Sequence, residues 1–597
     1  MIAAHFAWRP APRNGGKHFE LAWTSEAMGK QMAGSIDGDQ RYRNSANGDL
    51  YDLPGRAFPR LSNDMIARVK LYGDIERYDG GDYLYRVGQR HVGFFVVVQG
   101  SINILESDGH GGQALVTTHG FHQFTGELDQ LNGQAVLVSA QAASPSTVIR
   151  VTRDSFTTLV RSEPDIGELI MRAFILRRSG LIAHTGEGTA IVGSQRSAET
   201  LRIQSFLERN GYPHRLIDTE HDPDAGNALS FFHAEKREQP VVVIDGVSVF
   251  SRPTNRELAA ALGISEVINN HSIFDVAIIG AGPAGLAAAV YAASEGLNTI
   301  VVEMFAPGGQ AGTSSRIENY LGFPLGISGQ GLARRAQIQA QKFGARFVVA
   351  SAASKLDCAH YPFRIHLEDG SSITARSIVV ASGARYRRLK VSNLEKYEGV
   401  GVHYAATSLE GRLCMGGSAI VVGGGNSAGQ AAMFLSRLAQ HVHILVRGDG
   451  LAATMSDYLI QRIKDSPLIS LHPHCEVSAL VGDKTLEAVR WRSLSGDEVE
   501  QRTENLFSMI GAVPNTDWLA GCIALDANGF VETEQQNYRG SDPCPFASSA
   551  PGIFAVGDVR ARSMKRVASA VGEGSAVVRA IHQWLNSQAK VAEAQIR

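Results

Sequence analysis

Cysteine is scarce: five residues, at positions 358, 414, 475, 522 and 544, are spread over 597 positions with no Cys-x-x-Cys pair and no metal-type spacing. That pattern argues against both a zinc site and a disulfide framework. No run of about 18 apolar residues occurs, which leaves no candidate for a helical membrane span. The start of the chain also lacks the continuous apolar core of a secretory signal, so a cytoplasmic protein is expected. Charge of one sign is missing too. The 57 Lys and Arg stand against 59 Asp and Glu, a formal net charge of -2, and this balance carries no footprint of nucleic-acid binding. Glycine, by contrast, is plentiful at 63 residues, and its clusters fall where strands turn into helices.

A chain of this length is expected to hold roughly three or four domains. Residues 1–55 mix Gly, Asn, Ser, Arg and Asp without periodicity and read as a flexible tail, or in part as an overlong start. Over 56–184, short apolar runs at 94–98 and 101–105 are broken by Gly80-Gly81, Gly100 and the glycines of 109–112. A small β-roll is predicted, closed by one or two helices over 154–182 despite Pro164. A linker at 184–188 follows. Residues 189–265 alternate in the order β, α, β, α, β, β, α. Gly211 and Gly263 stand where helices should end, and Asp245-Gly246 is suited to a two-residue hairpin turn between strands 241–244 and 247–250.

Residues 274–279, apolar but for Asp275, form a strand that runs into Gly280-Ala281-Gly282-Pro283-Ala284-Gly285. In this G-x-G-x-x-G turn Gly280 permits the tight bend, Gly282 lets a pyrophosphate approach the backbone, and Gly285 allows the helix to pack close to the strand. The free N–H groups at the start of that helix then face the phosphates. The next strand, 297–302, delivers Glu303 about 20 residues beyond the turn, where an acid takes ribose hydroxyls. Near the far end, the segment from Gly552 to Val559 brings Asp558 to the start of a helix near Ala568.

A second apolar strand, 418–422, opens into Gly423-Gly424-Gly425-Asn426-Ser427-Ala428, and 442–446 is the strand that follows. The position matching Glu303 is Val446, and Arg447 comes next. With no carboxylate for a free 2′-hydroxyl and an arginine suited to a 2′-phosphate, NADPH is expected ahead of NADH. The small basic complement, Arg447 followed by Gly448, keeps NADH open.

Over about 272–585 the chain resembles the low-molecular-weight thioredoxin reductase family. Gly308-Gly309-Gln310 and Ile317-Glu318-Asn319-Tyr320 resemble its flavin-contacting segments. Val380-Ala381-Ser382-Gly383-Ala384 resembles its crossover motif, and Lys565-Arg566-Val567-Ala568 lies where the family touches the flavin from the last helix. The resemblance implies FAD held by Gly280, Gly282, Pro283, Ala284, Gly285, Glu303, Gly309, Gln310, Asn319, Ser382, Gly383, Asp558, Arg566 and Val567, with Asp558 on the ribityl chain. It implies NAD(P)H held by Gly423, Gly425, Asn426, Ser427 and Arg447. An FAD-binding domain would comprise 272–386 and 513–597, with an NAD(P)H-binding domain, 390–510, inserted between flexible joints at 383–387 and 511–514. A homodimer is implied as well.

Family members that reduce thioredoxin carry Cys-Ala-Thr-Cys, and the matching stretch here is Ala405-Ala406-Thr407-Ser408, with Leu409 in place of an aspartate. No disulfide can form there, and Cys414, the nearest thiol, reads as packing. Hydride transfer to a flavin needs no cysteine. The expected activity is therefore that of an NAD(P)H-dependent FAD oxidoreductase passing electrons to an unidentified small-molecule or protein acceptor. No catalytic acid, base or metal is assigned. Two other readings stay open: a ligand-sensing flavoprotein scaffold with little turnover, and a thioredoxin-disulfide reductase using an external dithiol.

The element order of 189–265, with Pro240 entering the third strand, resembles the thioredoxin and glutaredoxin fold. Where that fold carries its reactive cysteine, this chain has Gly193-Ser194-Gln195-Arg196-Ser197, so an adaptor or packing role is expected. Phe124-Thr125-Gly126-Glu127-Leu128 resembles the phosphate-binding cassette of cyclic nucleotide-binding domains. Gly126 and Glu127 would line a pocket for a small effector, but Gln134 stands where an arginine should neutralise a cyclic phosphate. A cyclic nucleotide, another ligand and a purely structural or dimerising role all stay open for this unit. The expected fold is thus multidomain α/β: two Rossmann-like domains, one inserted in the other, a thioredoxin-like domain, and an N-terminal β-roll with helices.

Overall fold

In the computed structural model, the residues described are 57–90, 92–107, 113–126, 136–184, 189–223, 225–231, 237–244, 248–266, 272–483, 485–533 and 544–596. The 1–55 tail, Glu127, Gln134 and the Asp245-Gly246 turn lie outside them.

The amino-terminal unit is a pair of four-stranded antiparallel sheets. One has the order Asp74–Tyr78, Ser146–Val151, Phe94–Gln99, Phe124–Thr125, and the other Tyr83–Tyr85, Ser139–Ala142, Ile102–Ser107, Gln113–His119. The run of apolar residues in Phe94–Gln99 is buried on both faces, between the sheets and the helices Arg153–Ser162 and Pro164–His184. Phe94, Phe124, Phe156 and Phe174 pack there as a ring cluster. Pro164 opens the second helix rather than breaking one, the position where a missing N–H is harmless. Ile338, from helix Gly329–Lys342 of the FAD part, is buried in the same cluster.

In the thioredoxin-like unit the sheet order is Arg215–Asp218, Thr189–Gly193, Val241–Ile244, Ser248–Ser251. The first pair is parallel and the other two antiparallel. Pro240 follows a cis peptide bond. Helix Ala198–Arg209 is capped by the Ser197 hydroxyl and buries Leu201, Ile203, Phe206 and Leu207.

The FAD part is built on a five-stranded parallel sheet, ordered Arg346–Val349, Thr299–Glu303, Val276–Ile279, Ile378–Val380, Ile553–Ala555. Its last strand comes from beyond the inserted part, so the layer closes only when two distant stretches meet. The inserted part has its own five-stranded parallel sheet, Val402–His403, Asn505–Ser508, Ser418–Val422, His441–Leu445, Ile469–His472. Both chain crossings between the two parts run through one antiparallel ribbon, Ala384–Tyr386 against Ala512–Pro514. None of the described helices is long and apolar enough to cross a membrane.

One expectation is corrected. Cys358 and Cys522 form a disulfide, although the spacing argued against such bonds. Motif spacing registers only neighbours in sequence, whereas these two lie 164 positions apart on either side of the inserted part. Cys414, Cys475 and Cys544 are buried free thiols.

Candidate functional site

A cavity of about 1700 Å³ lies between the FAD part and the inserted part. Gly280, Gly282, Pro283, Ala284, Glu303, Gly309, Gln310, Asn319, Ser382, Gly383, Asp558, Arg566 and Val567 line it, together with Asn426 and Ser427 from the inserted part. Gly285 lies behind the wall, and Gly423, Gly425 and Arg447 are not on it. Gly126 is elsewhere, packed under Phe94 in the β-roll.

The wall around the first turn fits a dinucleotide. A Cβ on Gly285 would stand 1.9 Å from the Gly280 carbonyl oxygen, so helix and strand touch backbone to backbone. Gly309 packs directly on Gly282, since its Cβ would lie 3.0 Å from the Gly282 Cα. Helix Pro283–Ser294 starts at Gly282 with no side-chain cap, which leaves its first N–H groups to bind an anion. Glu303 takes the Ala281 N–H at 2.8 Å on one oxygen and the Phe305 N–H at 3.0 Å on the other. Burial pushes its carboxyl above the usual range, against the pull of those backbone bonds. Each oxygen keeps a further lone pair for ribose hydroxyls.

At the opposite end, burial likewise raises the Asp558 carboxyl, opposed by the Lys565 ammonium. Lys565 Nζ donates to the Asp558 backbone carbonyl at 2.8 Å, while the Asp558 carboxylate has no hydrogen-bond partner among the described residues. Helix Val567–Ile596 begins on the cavity wall and directs its positive end there.

The crossing ribbon is tied by a pair of bonds that sequence reasoning missed. Ser382 Oγ donates to the Asn515 carbonyl at 2.7 Å, and Asn515 Nδ2 donates to the Ser382 carbonyl at 2.9 Å. In the second turn, Asn426 Oδ1 accepts the Ser456 N–H at 2.7 Å and Thr454 Oγ1 donates to the Gly424 carbonyl at 2.8 Å. Asn515 and Thr454 carry no motif of their own. Val446 is buried at the strand end, and Arg447 is exposed beside it with no partner among the described residues.

Thr407 and Glu410 form a capping box on helix Ser408–Leu413 at the place of the missing cysteine pair. Ser408 Oγ donates to Glu208 of the thioredoxin-like unit at 2.6 Å. Burial pushes the Cys414 thiol up to about 12, with Glu410 adding to the shift, so it is no thiolate nucleophile. Helix Ala198–Arg209 also contributes to the cavity wall through Ala198, Leu201, Arg202, Ser205 and Arg209. Nothing in the sequence of that helix announces this role.

A family model for pyridine nucleotide-disulphide oxidoreductases matches residues 274–574. A model for cyclic nucleotide-binding domains matches residues 75–163. The chain is 31% identical over 309 residues to the thioredoxin reductase of Mycoplasmopsis pulmonis, covering 52% of this chain and 96% of that protein. It is 33% identical over 336 residues to NADPH-dependent thioredoxin reductase 3 of Arabidopsis thaliana, covering 54% and 59% of the two. Among solved structures, Lactococcus lactis thioredoxin reductase is 28% identical with a TM-score of 0.49, covering 53% of this chain and 99% of that one.

Proposed function

The chain belongs to the pyridine nucleotide-disulphide oxidoreductase family and is an FAD-dependent NAD(P)H oxidoreductase, and from that premise we propose that it delivers electrons from NADPH to an acceptor outside its own chain without a dithiol at Ala405 and Ser408. The observation that carries this is the state of the cysteine positions. Ala405 and Ser408 hold no sulfur, Ser408 is bonded to Glu208, and Cys414 is buried with its thiol raised.

When bound, FAD supplies the two-electron chemistry, and the chain supplies position and electrostatics. The free end of helix Pro283–Ser294 would hold the pyrophosphate, Glu303 a ribose, and Asp558 the ribityl chain. Gln310, Asn319 and the amino end of helix Val567–Ile596 would flank the ring, where the helix end favours developing negative charge. The turn from Gly423 to Ser427 would take the nicotinamide dinucleotide, with exposed Arg447 on the 2′-phosphate.

Regulation from the amino-terminal unit belongs to the same proposal. Ile338 is buried in the core of that unit, and its helix, Gly329–Lys342, packs at its other end against Ala311–Thr313, directly after Gln310. A small effector on the β-roll would act along that helix.

Anaerobic mixing of the flavin-loaded protein with NADPH should bleach the visible flavin band, faster than NADH does, and Arg447→Ala should narrow the difference. If neither nucleotide reduces the flavin, the reading fails. An acceptor screen on the reduced protein, with oxygen, a quinone, a low-molecular-weight disulfide and thioredoxin with and without an added dithiol, then identifies where the electrons go.

A further inference from the structure

Helix Ala198–Arg209 of the thioredoxin-like unit ends on the FAD part. Arg209 Nη2 donates to the Gly309 carbonyl at 2.9 Å, and its guanidinium lies 5.0 Å from the centre of the Phe305 ring. Asn210 Nδ2 reaches the Phe305 carbonyl at 3.3 Å, and Gln330 donates to the Glu208 carbonyl, so the end of the helix is fixed from three directions. Gly309 is the residue that packs on Gly282. Arg209 therefore stands one residue removed from the turn that opens helix Pro283–Ser294, and it lines the same cavity.

This arginine is held unlike a surface side chain. Burial draws its guanidinium below the ordinary value, while the carboxylates of Glu303 and Glu410 pull the other way. Neither carboxylate forms an ion pair with it among the described residues. Among the described residues, one of its five N–H donors has a direct acceptor, the Gly309 carbonyl. Half-buried and lining the cavity, a cation with free donors is placed to bind an anion there. A helix amino end offers only about half a positive charge, well short of the two negative charges a dinucleotide pyrophosphate brings.

The geometry points to Arg209 as a phosphate-facing cation of the FAD site, supplied to the reductase half by the thioredoxin-like unit. The inference rests on the FAD reading above. It gives the cysteine-free thioredoxin-like unit a binding role in place of a redox one: the unit adds a cation from outside the reductase half to a cavity that Lys565 and Arg566 also line.

The test uses the full chain, stripped of flavin and titrated with FAD by fluorescence at low and high salt. Arg209→Gln removes the charge and leaves a shorter polar side chain, while Arg209→Lys keeps the charge. Arg209→Gln should weaken FAD binding about tenfold or more at low salt. Arg209→Lys should stay within about threefold of wild type, and the wild-type dissociation constant should rise more steeply with salt than that of Arg209→Gln. An Arg209→Gln protein with wild-type affinity and salt slope overturns the inference and leaves the FAD reading standing. So does an Arg209→Lys protein that falls as far as Arg209→Gln. A wild-type affinity indifferent to salt overturns it even where Arg209→Gln does not fold. A wild-type chain that takes up no FAD at all removes the parent reading together with this one.

Discussion

Replacing Gly285 by alanine asks the first turn to admit one methyl group. Its Cβ would stand 1.9 Å from the Gly280 carbonyl oxygen, 3.0 Å from the carbonyl carbon and 3.3 Å from the Ala381 Cβ. A carbon–oxygen contact ordinarily needs about 3.3 Å, so helix Pro283–Ser294 would have to retreat by roughly 1.4 Å. The obstacle is backbone, and no rotamer change relieves it. Overpacking of this kind costs about 1–3 kcal/mol. At roughly 2–4 °C per kcal/mol for a domain of this size, the melting temperature should fall by roughly 2–12 °C. Cofactor binding should suffer with it, because the helix end moves away from the phosphates, and each loss of about 1.4 kcal/mol of contact is a tenfold loss of affinity. The control is Gly425→Ala in the second turn, where nothing lies within 4 Å of the added carbon and FAD content should not change. Flavin absorbance per chain and a thermal melt read both effects. A Gly285→Ala protein that purifies with one flavin per chain and melts within a degree of wild type would refute the reasoning.

Thiol titration of the unfolded protein should count three thiols without reductant and five after reduction, and five at the outset would deny the Cys358–Cys522 bond. Ser408→Ala and Glu208→Ala each remove the same 2.6 Å bond, worth about 0–1 kcal/mol at this exposure, so the double variant should lose no more stability than either single one. Additive losses in the melts would show that the two residues do not act as a pair. Burial, then the neighbouring charges of His441 and His472, press the His443 imidazole down to about 4 from an ordinary 6.5. The folded chain thus protonates this group later than the unfolded chain, and its contribution is complete above pH 6.5 and lost as pH falls towards 4. Partial exposure holds the effect to about 1–2 kcal/mol. His443→Gln should flatten the melting temperature between those two pH values, and an unchanged slope would assign the loss to other groups.

What was legible in the sequence was whatever a single stretch of chain determines. The strand, the three glycines, the helix and Glu303 follow one another within about thirty residues, and each constrains its neighbour through the geometry of a tight turn. The order of the thioredoxin-like unit was legible for the same reason, from Gly211, Gly263 and the strand alternation. Residues whose role depends on which distant segments meet left no local trace. Cys358 finds Cys522 only across the inserted part, Asn515 finds Ser382 only across the ribbon, and Arg209 reaches Gly309 from another domain. Arg447 was legible as a type and a register position, while the structure adds that it is exposed and off the cavity wall.

The ribbon of Ala384–Tyr386 and Ala512–Pro514 sets the mechanics of the inserted part. Both leads of the chain pass through one pair of strands, flanked by Gly383 at φ 63° and Gly511 at φ 47°. A body hung in this way can turn on a single pin, like a door, without any strand leaving its sheet. Bolts cross the gap at the Arg462–Glu318 ion pair at 2.5 Å, the Arg196–Glu504 ion pair at 3.2 Å and the bond from Ser408 to Glu208. Each is open to water and worth about 0–1 kcal/mol, so drawing all of them costs a few multiples of RT at most. A bound nucleotide with micromolar affinity commands about 8 kcal/mol. If only a quarter of that distinguishes one angle of the door from another, thermal motion supplies the swing and the nucleotide decides where it stops.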